Sequence, residues 1–164
     1  MDRRQKIILA ILGVLLLAAL IVLAVVAASR KPEVIISDFK APPFEEKATL
    51  GVPEGVDGYR EINVEGNYTF SLCMEPKIEG NDLHIFFASD KDNDAWLLIR
   101  IYDVESGEQI GTSGLLRAGE YVESVTLSRL PTDGAVRVKI LSYEKDTYFS
   151  LGTASATLPV TLVS

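Results

Sequence analysis

The chain has 164 residues and a formal net charge of −7 at pH 7, with one cysteine and one histidine. A lone cysteine excludes an intramolecular disulfide. One cysteine and one histidine are also too few for the usual zinc site, which is built from several histidines and cysteines. Residues 32–164 carry 22 Asp and Glu against 11 Lys and Arg, giving 11 − 22 = −11, so this acidic part repels phosphate backbones and nucleic acid is excluded as a partner.

The first long feature is an apolar run over residues 7–28, which contains no charge, amide or hydroxyl. As a helix rising about 1.5 Å per residue it reaches about 33 Å, enough to cross a hydrocarbon core of about 30 Å. The run therefore predicts a transmembrane helix. A cleavable signal peptide ending at Ala28 is the alternative, but its apolar stretch is typically only about 7 to 15 residues long.

The leader, residues 1–6, carries Arg3, Arg4 and Lys6 and is too short to form a domain. A short basic leader before a first apolar helix favours a cytoplasmic N-terminus and export of the C-terminal part. We therefore expect a single-pass protein of the cell membrane, with its C-terminal domain extracellular.

Residues 29–67 contain four prolines and several glycines. Prolines at this density prevent a continuous helix and stiffen the chain, which is typical of a tether. The sequence thus predicts an extracytoplasmic Pro-rich tether that leads into the domain, with candidate short strands at residues 34–39 and 60–64.

The folded domain is predicted over residues 68–164, where the hydrophobic period becomes two. Tyr68, Phe70 and Leu72 alternate with polar residues, as in a half-buried strand. The run 95–103 is apolar at successive positions, which indicates a central strand covered on both faces.

The last strand is predicted over residues 153–163. Pro159 cannot donate to a strand ladder, so this strand belongs at a sheet edge. About seven short strands, separated by turn sequences and without helical period, predict an antiparallel β-sandwich of the immunoglobulin or fibronectin type III kind.

Two stretches of the domain carry a resemblance. DAWLLIRIYDVESGEQIGTSGLLRAGEYVESVTL (residues 94–127) and ILSYEKDTYFSLGTA (residues 140–154) resemble the ectodomains of small, uncharacterised single-pass proteins of Gram-positive anaerobic bacteria. The resemblance covers most of residues 41–164. It implies a bacterial cell-surface β-sandwich and carries no catalytic residues.

Candidate site chemistry is sparse. Asp90, Asp92 and Asp94 alternate in one loop and are candidate Ca²⁺ ligands, whereas an EF-hand would need glycine at Ala95 and glutamate at Ile101. The alternative is a solvated loop. His84 is the one histidine, so a metal site would need mostly carboxylate ligands and a Ser-His-Asp triad would rest on His84 alone. We predict no enzyme activity and no cofactor.

Aromatic residues supply the other candidate site. Tyr143 and Tyr148 flank a short loop and are the candidate binding residues of a stacking platform for glycan, whose further candidates are Trp96, Tyr102, Tyr121 and Phe149. The sequence favours a non-catalytic surface module for a protein or cell-wall partner. The alternatives are an accessory subunit of an envelope assembly that acts through its transmembrane helix, and a weak glycan- or calcium-binding module.

Overall fold

The computed structural model describes residues 40–65 and 67–163, together with Gln5. Apart from Gln5, the predicted leader, the predicted transmembrane helix and residues 29–39 of the predicted tether, with its candidate strand at residues 34–39, lie outside the described residues. The described helices include none that is long and apolar enough to cross a membrane. The chain divides into two compact units, Met1–Phe39 and Lys40–Ser164.

Eleven strands lie in the described part of the second unit. They are β1 (Thr49–Leu50), β2 (Tyr59–Val64), β3 (Tyr68–Cys73), β4 (Lys77–Glu79), β5 (Asp82–Ser89), β6 (Ala95–Asp103), β7 (Gln109–Thr112), β8 (Glu120–Thr126), β9 (Ala135–Glu144), β10 (Ser150–Pro159) and β11 (Thr161–Val163).

The strands form two sheets that enclose one core. The larger sheet has the order β1-β8-β5-β3-β2, with β4 joining β5 to β11, and the smaller has the order β10-β9-β6-β7. The strand pairs are antiparallel apart from β11 with β4, which run parallel. Buried side chains from both sheets make up the main core. The prediction of an all-β fold with antiparallel sheets, of β-sandwich character, is therefore confirmed.

The alternation predicted for two strands is present. Tyr68, Phe70 and Leu72 of β3 are all buried. In β6, which lies between β9 and β7, Leu97, Ile99 and Ile101 have no exposed surface. These positions share the core because successive side chains of a strand point to opposite faces.

The C-terminal strand differs from its prediction. It lies at the edge of the smaller sheet as β10, but its pairing with β9 ends at Pro159, opposite Ala135. The chain then crosses to the larger sheet as β11, whose Thr161 pairs with Lys77 of β4. The prediction of one continuous strand is wrong, because Pro159 provides no N–H with which to continue the first ladder.

Residues 40–50, here called the lead-in segment, contact both sheets: Phe44 packs on Trp96 of the smaller sheet, and β1 pairs with β8 of the larger sheet. The backbone N–H of Glu45 donates to Leu115 O, and the N–H of Leu115 donates to Pro43 O, each at 2.9 Å. A Cβ added to Gly114 would lie 2.5 Å from the backbone N of Glu45, so only glycine allows this approach. The compact unit thus begins before Tyr68, and the candidate strand at residues 60–64 is present as β2.

Candidate functional site

The candidate site is the side of the smaller sheet that faces away from the main core, where Leu98 and Leu141 are buried in a small cluster with Leu115. Ile99 of β6 and its partner Ile140 of β9 point into the core, so the residues on either side of them in each strand point outward. We call this side the outer face. It comprises Trp96, Leu98, Arg100, Tyr102, Arg137, Lys139, Leu141, Tyr143, Thr153, Ser155 and Thr157.

The strand register arranges these residues in rows. From one end of the sheet to the other, the rows are Trp96 with Tyr143, then Leu98 with Leu141 and Thr153, then Arg100 with Lys139 and Ser155, and finally Tyr102 with Arg137 and Thr157. The face is therefore aromatic at one end, aliphatic in the middle and cationic at the other end. The pairing register of β6, β9 and β10 separates the aromatic, aliphatic and cationic residues in this way.

The aromatic end joins residues that are distant in sequence. The ring of Trp96 lies edge-on to Phe44, with centroids 4.9 Å apart, and 5.1 Å from the ring of Tyr148. Tyr143 packs against the same small cluster. The structure thus brings both predicted tyrosines to one face, half-buried, beside Trp96. Their role in binding stays a prediction.

Backbone strain occurs at this aromatic end. Tyr148 has φ 57° and Asp146 has φ 71°, in the tight loop that joins β9 to β10. The loop is closed by hydrogen bonds from the Tyr148 N–H to Glu144 O at 3.1 Å and from the Glu144 N–H to Phe149 O at 2.8 Å. A bulky residue at positive φ is costly and is retained where the surroundings enforce it, a feature that clusters at functional sites. Here it places the Tyr148 ring on Trp96.

The cationic end is formed by Arg100, Lys139 and Arg137. Arg100 and Lys139 are half-buried and directly opposite each other, an arrangement in which Cβ atoms lie about 4.5 to 5.5 Å apart. Over residues 40–65 and 67–163, no carboxylate forms an ion pair with any of the three. Like charges directly opposite destabilise a sheet, so this end carries an unrelieved repulsion.

The acidic loop predicted as a calcium site is built differently. Oδ1 of Asp90 accepts the backbone N–H of Asp92 at 2.8 Å, and Asp94 pairs with Lys145 at 2.9 Å. Asp92 lies 3.3 Å from Nζ of Lys91. The part of the chain that the structure describes holds no group of three or more His, Cys, Asp or Glu that fits a metal ion.

A buried carboxylate that sequence patterns did not single out lies at the opposite end of β6. Asp103 has no exposed surface and accepts hydrogen bonds from Arg129 at 2.8 Å, Ser106 at 2.9 Å and Thr132 at 3.0 Å. Burial alone raises the pKa of Asp103, but these hydrogen bonds to the ionised form outweigh it and hold the pKa well below its usual range. The cluster joins the β6–β7 turn to the loop between β8 and β9 and is structural.

Two hollows of about 570 and 620 Å³ lie on the larger sheet. The first is lined by Cys73 and His84, the residue types of a catalytic pair. Cys73, however, donates its thiol to Asp57 O at 3.3 Å, and the His84 ring lies 3.8 Å from Glu79 and from Glu123. The geometry does not bring the cysteine and the histidine together as nucleophile and base.

Comparisons with known proteins add no assignment to this geometry. The chain has no significant match to a protein-family model, to a curated protein or to a solved structure. The function is therefore argued from the outer face itself.

Proposed function

We propose that this chain is a non-catalytic, membrane-anchored module that binds a cell-wall glycan outside the cytoplasm through the outer face. Residues 7–28 are the anchor in this proposal, and residues 29–39 are the part of the tether that precedes the compact unit. The domain is proposed to be a sandwich of the immunoglobulin or fibronectin type III kind, with its ligand on a sheet face.

One observation carries the glycan assignment. Trp96, Tyr143 and Tyr148 belong to one half-buried cluster at this end of the outer face, the rings of Trp96 and Tyr148 lie 5.1 Å apart, and Tyr148 is held there at φ 57°. An aromatic ring presents a flat apolar surface with a polar tip in Tyr and Trp, which suits a sugar ring with its C–H face and hydroxyl rim. A rigid scaffold also reduces the entropy lost on binding.

Hydroxyl groups on the same face, next to the aliphatic and cationic rows, supply polar contacts for such a ligand. Thr153, Ser155 and Thr157 follow one another along the outward side of β10, and their hydroxyls make no hydrogen bond within the described residues. These groups are available to the hydroxyls of a bound sugar, because all three side chains are exposed.

The test is binding of cellohexaose, a defined sugar chain, to the full chain in phosphatidylcholine nanodiscs, measured by calorimetry. Tyr148→Gly removes the ring and relieves the positive φ, so we expect lost binding with the fold retained. Tyr121→Ala on the larger sheet is the matched control and leaves binding intact. Unchanged binding in Tyr148→Gly contradicts the proposal.

The anchor itself has a separate test. Replacing residues 7–28 with an unrelated membrane anchor leaves a glycan-binding module functional, because the ligand contacts belong to the compact unit. Loss of cellular function with glycan binding retained favours instead an accessory subunit that acts through its transmembrane helix.

A further inference from the structure

We propose that the ligand of the outer face is an anionic glycan, whose carboxylate or phosphate groups are bound by Arg100, Lys139 and Arg137. This inference rests on the proposed function and adds the charge of the ligand to it. Its basis is the cationic end of the outer face, which is distinct from the aromatic end.

The placement of charge supports an anionic ligand. From residue 32 onward the chain has twice as many acidic as basic residues, 22 against 11, yet three of the eleven cations share two adjacent rows of one sheet. Within the described residues, Lys91, Arg117, Arg129 and Lys145 form ion pairs with carboxylates, and Arg100, Lys139 and Arg137 form none. A bound anion is the partner that this arrangement lacks.

The cross-strand pair gives independent support. Arg100 and Lys139 repel each other from directly opposite positions, and both are half-buried, so solvent screens them less than it screens fully exposed charges. A carboxylate in place of either Arg100 or Lys139 gives a more stable sheet, because opposite charges attract across the two strands. An oxyanion bound between Arg100 and Lys139 relieves this repulsion by accepting charge-assisted hydrogen bonds from both side chains. The guanidinium of Arg100 can donate two parallel hydrogen bonds to such a group.

The layout of the outer face favours a glycan over a membrane surface or an acidic protein. The cationic rows lie beside the hydroxyl-bearing strand β10, and the row of Leu98 and Leu141, which is buried with Leu115, separates them from the aromatic end. A sugar chain that bears acidic groups contacts the rings, the hydroxyls and the cations through successive sugar units. A lipid headgroup layer uses neither the hydroxyls nor the half-buried rings, and the net charge of −11 over residues 32–164 repels an anionic membrane.

The experiment uses two sugars with the same backbone, cellohexaose and its C6-oxidised form, in which each primary alcohol is a carboxylate. Binding to the full chain in phosphatidylcholine nanodiscs is measured at two salt concentrations. We expect the carboxylated sugar to bind at least about tenfold tighter than cellohexaose, equivalent to about 1.4 kcal/mol, with the advantage shrinking at high salt.

The double variant Arg100→Gln with Lys139→Gln is expected to abolish this advantage and its salt dependence. Arg60→Gln with Lys77→Gln removes the same two charges from exposed positions on the larger sheet and leaves the advantage intact. The first variant also keeps or raises the melting temperature, which separates loss of binding from loss of fold.

The remaining outcomes are decisive. Equal binding of the two sugars overturns the anionic assignment and leaves the proposed function standing, whereas binding of neither sugar overturns both. Tighter binding to vesicles of phosphatidylglycerol than to the carboxylated sugar assigns the cationic end to a membrane surface and also overturns the inference. A carboxylate advantage that survives in the Arg100 and Lys139 variant places the anion site elsewhere.

Discussion

Nη2 of Arg129 lies 2.8 Å from Oδ2 of Asp103, a carboxylate with no exposed surface at the end of the central strand β6. The same guanidinium nitrogen contacts Ser106 at 2.8 Å and Glu108 at 3.0 Å. One side chain from the loop after β8 therefore closes the β6–β7 turn. The energy of this contact depends on the charge of Asp103.

We expect Asp103→Asn to lower the melting temperature at pH 7 and to have a diminishing effect in acid. The folded state depresses the pKa of Asp103, so its contribution is fully present above the unfolded value of about 3.9 and is lost as pH falls through the folded value. Thermal unfolding from pH 7 to pH 2 measures this. Asp133→Asn, at an exposed position, is the control. A difference from wild type that stays constant down to pH 2 contradicts the ionic role.

Ile99→Ala is expected to destabilise the domain by about 2 to 5 kcal/mol, because it leaves a cavity in a fully buried site between the two sheets. This is comparable with the whole stability of a small domain. Chemical denaturation measures the loss. Ser155→Ala, on the outward side of β10, is the control and changes stability by less than about 0.5 kcal/mol.

Gly114→Ala tests whether the lead-in segment is part of the fold. The added Cβ meets backbone atoms of Glu45 at 2.5 Å, and a backbone cannot rotate away as a side chain does. We expect a loss of about 1 to 3 kcal/mol, typical of overpacking, together with increased hydrogen exchange at Glu45 and Leu115. Gly80→Asn, at a positive-φ turn with open space around it, is the control. Unchanged exchange at Glu45 argues against the docked segment.

Lys139→Glu replaces the repulsion with Arg100 by an opposite-charge pair. We expect the domain to gain about 0.2 to 1 kcal/mol, the range for cross-strand pairs, with the gain reduced in high salt. Lys77→Glu on the larger sheet is the control for the change in net charge. A loss of stability in Lys139→Glu shows that Lys139 has a structural partner.

Calcium is expected to leave the melting temperature unchanged beyond general salt screening. An ion that binds only the folded state raises the melting temperature as its concentration rises. Here Asp90 accepts a hydrogen bond within its own turn, and Asp92 and Asp94 form ion pairs with lysines. Replacing all three with Asn retains the folding transition. A saturable rise at millimolar calcium that the triple variant abolishes establishes the predicted calcium site.

Strands and their buried faces could be predicted from the amino-acid sequence alone. The alternation of Tyr68, Phe70 and Leu72 and the doubly apolar run of β6 are local patterns, and local patterns suffice because strand side chains alternate with period two. Pro159 likewise predicted that its strand lies at a sheet edge, because the missing N–H is a property of that single residue.

The tertiary structure determines which residues share a face and which residues distant in sequence are in contact. Arg100 and Lys139 are 39 positions apart by number, and only the β6–β9 register makes them neighbours. Phe44 reaches Trp96, and Arg129 reaches Asp103, through contacts between distant segments. Such contacts are set by strand register and sheet packing, in which a shift of one residue turns every side chain to the other face. The composition of a segment does not determine that register.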